Sequence, residues 1–440
     1  MLHRNSSLKE WLSWLEQLHP TEIELGLDRV SAVAKNLGLA DLMQRSAGAQ
    51  APKIITVAGT NGKGSCVAAL EALLVSKGES VGAFTSPHLL RYNERIKVNA
   101  CELADDDICW AFEQINQARA DISLSYFEFG TLAALLIFKQ QAVDYYLLEV
   151  GLGGRLDAVN CVDPDVAIIT SIDLDHQSWL GDTREAIAYE KAGILRQGIP
   201  FVCADKQAPL TLLDTAKKLQ TKPYFFDQDF GELTAPSYGG IYYRCVEGGS
   251  AEISFVDGGA QLPVASLAAA AQAFSILGFE LDACTGATLS EVKLDGRLSA
   301  VFLADNVVAF DVAHNPAAAR LLAERLRAKW PDRQFNALVA LMADKDLAAT
   351  LEPLMPLITH WNCLALEDNP RAASPEDLAK VLKSLGVEDD LITMAPKLET
   401  VLAPLIEDAV SENIIIFGSF FTVAAAKAFL GAHCNKAGDV

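Results

Sequence analysis

The sequence predicts an α/β protein of two tandem domains, each built around a mostly parallel sheet. Three observations carry that reading. Short runs rich in β-branched residues alternate with helical patterns, a glycine-rich turn joins the first such run to a helix, and a second alternating series begins after about Gly296. Strands covered by helices on both faces read as continuous apolar runs, which is what these segments show.

Each element follows from its own pattern. Residues 1–20 interrupt their apolar positions with Lys9, Glu10, Glu16 and Gln17, an amphipathic helix and not the apolar core of an export signal. KIITVAG (53–59), SVGAFTS (80–86), DYYLLEVG (144–151) and DVAIITSID (165–173) are strands of the first sheet. Val67, Leu70, Leu73 and Leu74 share one face of a helix over 65–77, which Gly78 stops. From about 205 to 262 the periodicity weakens around the glycine pairs at 239, 248 and 258, and GIYYRCV and AEISFV predict a small, mostly antiparallel layer there. An Ala-rich helix over 267–277 follows. VVAFDVAHNP, QFNALVALM, HWNCLALE and NIIIFGSF are strands of the second series, with a helix over 316–330. The expected division is into residues 1–293 and 294–440.

Composition sets the limits on function. The chain has 440 residues, 51% of them hydrophobic, with 36 basic against 57 acidic side chains and a net charge of −21. Half the residues being apolar is ample for a core in each domain, so disorder and small disulfide scaffolds are excluded. The acidic balance disfavours nucleic-acid and anionic-membrane partners, so an anionic ligand must meet a local basic pocket. Nine cysteines with no CxxC pair point to reduced thiols and a cytoplasmic protein. The longest apolar stretch, 414–426, contains Gly418, Ser419 and Thr422 and falls short of the ~20 residues a membrane span needs.

The sharpest chemical signal is Gly59-Thr60-Asn61-Gly62-Lys63-Gly64-Ser65 between a strand and a helix. Glycines let the backbone approach a polyphosphate, the helix N-terminus supplies N–H groups, and Lys63 adds charge for the terminal phosphates. The pattern indicates a nucleoside triphosphate site. It departs from GxxxxGK[ST] because Gly64 follows the lysine and the hydroxyl comes one place later.

Ligands of an open α/β sheet sit at the carboxyl ends of its strands. Those ends are polar here: Ser86 and His88 after the second strand, Glu149 and GLGGRLD after the third, Asp173, Asp175 and His176 after the fourth. A lone Glu there also serves as a cap or ion-pair partner, and a lone His as a core residue. Three of seven histidines, His88, His176 and His314, fall directly after strands beside other polar groups, however. Hard oxygen ligands at such positions suit Mg²⁺ with a triphosphate. In the second domain Asn315 and Pro316 are placed to cap and open a helix. Asp311 and His314 are not needed for that cap, and with Arg297 they are candidates to meet substrate or nucleotide across an interdomain cleft.

GTNGKGS (59–65), TSPHLLRYNERI (85–96), YFEFGTLAAL (126–135), LLEVGLGGRLDAVN (147–160), TSIDLDHQSWLG (170–181), EKAGI (190–194), DGRL (295–298), DVAHNP (311–316) and GSFFTVA (418–424) occur in one order along the chain. In these blocks the sequence resembles the folylpolyglutamate synthase/dihydrofolate synthase branch of the Mur ligase family. The resemblance implies a P-loop-type N-terminal domain, a Rossmann-like C-terminal domain and a monomer. It implies ATP-dependent ligation of L-glutamate to dihydropteroate and to the γ-carboxylate of reduced folates through an acyl phosphate, in folate and one-carbon metabolism.

Carried over residue by residue, Gly59 to Ser65 hold the triphosphate, with Lys63 catalytic. Ser86 and Glu149 hold one Mg²⁺; Glu149, His176 and Lys191 serve a second, with Lys191 carbamylated. His88, Phe127, Gly153, Leu156 and Asp157 line the pterin pocket. Arg297 and Asp311 contact ATP, and His314 acts at the incoming glutamate or the phosphate in transfer. Three positions depart from the family pattern: Asp295 where Pro is usual, Phe421 where His is usual, and Ser266 where Asn is usual. The alternatives are a single-activity folate ligase, a muropeptide ligase of the same superfamily, and a regulatory P-loop ATPase.

Overall fold

The computed structural model describes residues 6–21, 23–44, 52–233, 239–246, 248–256, 259–303, 306–366, 369–407 and 412–437. They fall into two compact units, Met1–Val292 and Lys293–Val440.

The first unit is built on eight strands: β1 (Lys53–Ala58), β2 (Val81–Phe84), β3 (Ile96–Val98), β4 (Cys101–Glu102), β5 (Tyr145–Glu149), β6 (Val166–Ile169), β7 (Pro200–Cys203) and β8 (Lys222–Phe225). Their order is β4-β3-β2-β5-β1-β6-β7-β8. From β2 to β8 all pairs are parallel, and β3 and β4 add an antiparallel edge. β2, β5, β1 and β6 are almost wholly buried, which is why they read as unbroken apolar runs.

Helix Lys63–Ser76 follows β1 and packs against helix Val264–Ile276. Ala268 to Ala271 are all fully buried, so small side chains let the two backbones approach closely. Helix Leu8–Leu18 buries Leu8, Trp11 and Leu15 and opens on a capping box, Ser7 accepting the Glu10 N–H and Glu10 accepting that of Ser7.

The antiparallel layer is present as β9 (Gly231–Leu233), β10 (Gly240–Arg244) and β11 (Ser250–Ser254). It is shorter than the expected 205–262 region. Residues 210–225 instead form helix Leu210–Lys218 and β8, which extends the parallel sheet. β8 is an edge strand with two exposed residues, so no buried run marked it.

The second unit holds β12 (Arg297–Leu303), β13 (Asn306–Asp311), β14 (Phe335–Val339), β15 (Ile358–Leu364), β16 (Ile392–Ala395) and β17 (Asn413–Phe417) in the order β12-β13-β17-β14-β15-β16. Of these strand pairs, β12–β13 is antiparallel and the rest are parallel. Sequence patterning missed the two edges, β12 and β16, where Val301, Phe302 and Met394 are exposed and the inside-outside contrast is weak. Among the described residues no helix is long and apolar enough to cross a membrane, and the described cysteines are free thiols.

Candidate functional site

In the first unit the candidate residues lie on the loops and helices that follow β1, β2, β5 and β6, except Glu149, the last residue of β5, and Phe127 in the first turn of helix Tyr126–Gln140. Gly62 caps helix Lys63–Ser76 with φ +86°, a left-handed conformation that suits glycine. A Cβ there would stand 2.6 Å from Ser266 Oγ, whose hydroxyl donates to Gly62 O at 3.3 Å. Ser266, the departure from the family's Asn, is therefore buried beneath the phosphate loop.

The loop's shape is set by the segment after β6. Thr170 and Ser171 hydroxyls donate to Asn61 O at 2.7 and 3.0 Å. The Asn61 N–H donates to Ser171 Oγ at 3.0 Å, and Thr60 and Asp173 exchange bonds of 3.0 and 3.1 Å. The helix carries no acidic residue in its first turn, Lys63 Nζ donates to Gly59 O at 3.1 Å, and Ser65 Oγ is buried without a hydrogen-bond partner. A positive helix end, a lysine and an unspent hydroxyl suit an anionic phosphate.

A buried amine lies within electrostatic reach of Lys63. Lys191, in helix Arg184–Ala192, is 3% exposed, and burial lowers its pKa to about 7, with Lys63 pushing in the same direction and Asp175 and Asp157 opposing. Asp157 is 2% exposed, and burial raises its carboxyl to about 7 against the pull of backbone N–H groups and of Lys63. Its two oxygens accept the N–H groups of Leu152 at 2.8 Å and Val159 at 3.0 Å. The structure thus brings Lys63, Asp157 and Asp175 within electrostatic reach of Lys191. Glu149, at the end of β5, is buried and accepts the Ser86 N–H at 3.1 Å. His176 stands at φ +51° and opens helix Gln177–Leu180.

Two distant blocks interlock to place Lys191. The Arg155 side chain pairs with Glu190 at 2.9 Å, and Asn160 Nδ2 donates to Arg155 O and Gly193 O, both at 3.0 Å. Gly193 has no room for a side chain, because a Cβ would overlap Cα and Cβ of Arg155.

Phe127 packs its ring against Phe84, centroids 5.6 Å apart. His88 is half-buried, and its Nδ1 accepts from Arg95 Nε at 2.8 Å. Leu156 O accepts the Gly26 N–H at 3.1 Å. Gly153, at φ +69°, lies against Leu180.

In the second unit, Asp311 is buried and both oxygens are engaged, accepting the N–H groups of Leu298 and Ala313 at 2.8 Å each. Leu298 sits at φ +52° in the bulge opposite Asp311, so this carboxylate braces an unfavourable backbone conformation. Burial pushes the Asp311 carboxyl upward while Arg297 and Arg325 oppose it. Arg297 lies 5.1 Å over the Phe420 ring. His314 Nδ1 donates to Val312 O at 2.8 Å, leaving Nε2 as the acceptor of the neutral ring. Asn315 caps helix Pro316–Lys329. Of the departures, Asp295 pairs with Lys427 at 2.7 Å, and Phe421 is 60% exposed on the first turn of helix Phe420–Ala437.

Sequence reading did not single out Gly26, Arg95 or Asn160. Arg95 and Asn160 lie inside quoted blocks, but nothing in their spacing tells which neighbour they hold.

Residues 57–234 match the Mur ligase middle domain and residues 296–420 the Mur ligase, glutamate ligase domain. The chain is similar to the dihydrofolate synthase/folylpolyglutamate synthase of Haemophilus influenzae, 39% identical over 442 residues, with 96% of this chain and 97% of that one covered. Among solved structures it resembles Escherichia coli FolC in complex with DHPP and ADP (TM-score 0.87, 36% identity, 98% of this chain and 100% of that one). It also resembles the bifunctional folylpolyglutamate synthase/dihydrofolate synthase of Yersinia pestis complexed with AMPPNP and Mn ion (TM-score 0.85, 41% identity, 98% and 100%).

Proposed function

The chain belongs to the Mur ligase family, and from that premise we propose that it is an ATP-dependent ligase joining L-glutamate to dihydropteroate and to the γ-carboxylate of reduced folates. The observation that carries this reading is the buried Lys191, within electrostatic reach of Lys63, Asp157 and Asp175. A regulatory ATPase has no use for an amine held close to neutrality there.

A carboxylate is a poor electrophile. Its oxygen therefore takes the γ-phosphoryl group of ATP, the bond to the bridging oxygen breaks, and ADP departs. The amine of glutamate then attacks the acyl phosphate carbonyl, loses a proton, and expels inorganic phosphate. Gly59 to Ser65 bind the triphosphate through backbone N–H groups, and Lys63 offsets charge on the group in transfer. Phe127 gives a flat apolar face to the pterin, with His88, Gly153, Leu156 and Asp157 around it. Arg297 and Asp311 are the second unit's groups for ATP, and His314 its group for glutamate or the transferred phosphate.

The donor set fits a divalent cation only in part as it stands. Among the described residues no three His, Cys, Asp or Glu side chains are grouped to hold a metal. Ser86, Glu149 and His176 would supply an oxygen, a carboxylate and an imidazole, and phosphate oxygens further ligands. Lys191 joins them only as a carbamate, and a buried amine with a pKa near 7 is suited to add CO₂, losing a proton and gaining a carboxylate. Two such cations would neutralise phosphate charge when bound.

The test is phosphate release from ATP and Mg²⁺ by the purified protein. Release that requires glutamate with dihydropteroate in one reaction and glutamate with a reduced folate in another supports the assignment; a response to one acceptor alone narrows it to a single ligation. Release independent of any acceptor supports the ATPase reading instead, and a muropeptide acceptor alone supports the sister ligase.

A further inference from the structure

The segment between β2 and β3 holds a grouping of which the proposed reaction uses only His88. Arg95 Nε–H donates to His88 Nδ1 at 2.8 Å. The same guanidinium lies over two aromatic rings, its Cζ 5.5 Å from the centroid of Tyr92 and 5.4 Å from that of Tyr126. The segment is closed around Glu94, whose carboxylate accepts the N–H groups of Leu89, Leu90 and Arg91 at 2.6, 2.6 and 2.7 Å. The Thr85 N–H donates to Arg95 O at 2.9 Å, which ties the base of the loop.

An arginine side chain is a hydrogen-bond donor only and keeps its charge at any pH the folded protein meets. His88 Nδ1 must therefore be an acceptor. A neutral imidazole carries one ring proton, so that proton sits on Nε2. The other tautomer would turn N–H against N–H, and the imidazolium would do the same while setting one cation against another. The Tyr92 ring stands edge-on to His88, centroids 5.9 Å apart, and limits rotation of the imidazole.

We propose that Arg95 is a positioning residue that holds His88 as a neutral Nε2–H donor, with which His88 recognises a carbonyl oxygen or ring nitrogen on the carboxylate-bearing substrate. The recognition half of this inference rests on the placing of His88 in the pterin pocket; the tautomer half does not. It gives the NER triplet of the TSPHLLRYNERI block a physical purpose: Asn93 Nδ2 anchors on Leu103 O at 2.8 Å, Glu94 closes the loop, and Arg95 sets the histidine. In this arrangement His88 directs substrate and carries no proton in the ligation.

Long-range ¹H–¹⁵N correlation on ¹⁵N-histidine-labelled resting protein at pH 7.5 tests the tautomer, with His88→Gln identifying the signals. The expected spectrum has a protonated Nε2 and an unprotonated Nδ1 for His88; a protonated Nδ1 overturns the inference. Arg95→Met is expected to mix the tautomers and raise the KM for the folate acceptor about tenfold, as loss of one oriented hydrogen bond implies, with the KM for ATP unchanged. Arg95→Lys, which retains a donor, is expected to recover part of the loss. Unchanged tautomer and unchanged acceptor KM in Arg95→Met overturn it. If that variant does not fold, the wild-type spectrum still decides. Because the spectrum needs no turnover, failure of the ligase assignment and failure of the tautomer are read separately.

Discussion

The backbone N–H of Arg155 donates to the carbonyl of Glu190 at 2.7 Å. That bond joins two segments 35 residues apart, one following β5 and the other in the helix that carries Lys191. The position of Lys191 therefore depends on contacts its own helix does not make alone.

Gly193→Ala tests that dependence. The added methyl would overlap the Arg155 backbone, and an overpacked site of this kind costs about 1–3 kcal/mol. The expected result is a lowered urea midpoint with a larger fractional fall in kcat than in affinity for ATP. Wild-type stability in this variant would show that the interlock has slack.

The phosphate loop gives a paired substitution. Gly62→Ala faces both a left-handed φ of +86° and Ser266 Oγ at 2.6 Å. Adding Ser266→Gly removes the steric clash and leaves the backbone penalty, about 1 kcal/mol. Calorimetric ATP affinity is expected to be lost in the single variant and partly restored in the double. No restoration would place the whole cost on the backbone.

Lys191 couples stability to pH. Depressed from 10.5 to about 7 by burial, it holds no proton in the folded protein through a window where the unfolded chain still holds one. Stability therefore rises with pH from about 7 toward 10.5, and the penalty of burying the cation is greatest below pH 7. In CO₂-free buffer the melting temperature of the wild type relative to Lys191→Met is expected to increase from pH 7 to pH 9. With ¹³C-bicarbonate, a carbamate signal is expected that grows from pH 6 to pH 8, because the neutral amine is the nucleophile. Lys191→Ala is expected to lose about a hundredfold or more in turnover, near 2.7 kcal/mol of barrier, and to regain part of it with short carboxylates.

Asp157→Asn removes a carboxylate whose two oxygens both accept backbone N–H groups. The amide's NH₂ must face one of those donors, which costs about 1–3 kcal/mol. A lowered urea midpoint is expected together with a raised KM for the folate acceptor and little change for ATP. An equal change in both KM values would argue against a place in the acceptor pocket.

Much of the fold was legible in the sequence because buried parallel strands write themselves as apolar runs, and the residues proposed to bind ligands follow their ends. β1, β2, β5 and β6, with Gly59, Glu149 and His176 at or just after their ends, are cases of that rule. Edges were not legible: β8, β12 and β16 each expose two neighbouring side chains and lack the buried run. Nor could spacing assign partners. Asp311 stands out in the sequence because the Asn315 cap does not need it, and the fold adds that its oxygens brace the Leu298 bulge and the turn at Ala313. Ser266 reads as a lost polar contact, but the fold sets it under Gly62. Nothing in the sequence singles out Arg95, whose hydrogen bond to His88 only the fold shows.

The roles given to Lys63 and Lys191 both depend on one step, in which the acceptor's carboxylate is activated by taking a phosphoryl group directly. Dihydropteroate labelled with ¹⁸O in its carboxylate, incubated with ATP, Mg²⁺, L-glutamate and the protein, tests that step in one mass measurement of the released phosphate. One ¹⁸O atom transferred into inorganic phosphate for each dihydrofolate formed is the expected result. Unlabelled phosphate released alongside product would contradict the acyl phosphate and both of those roles with it.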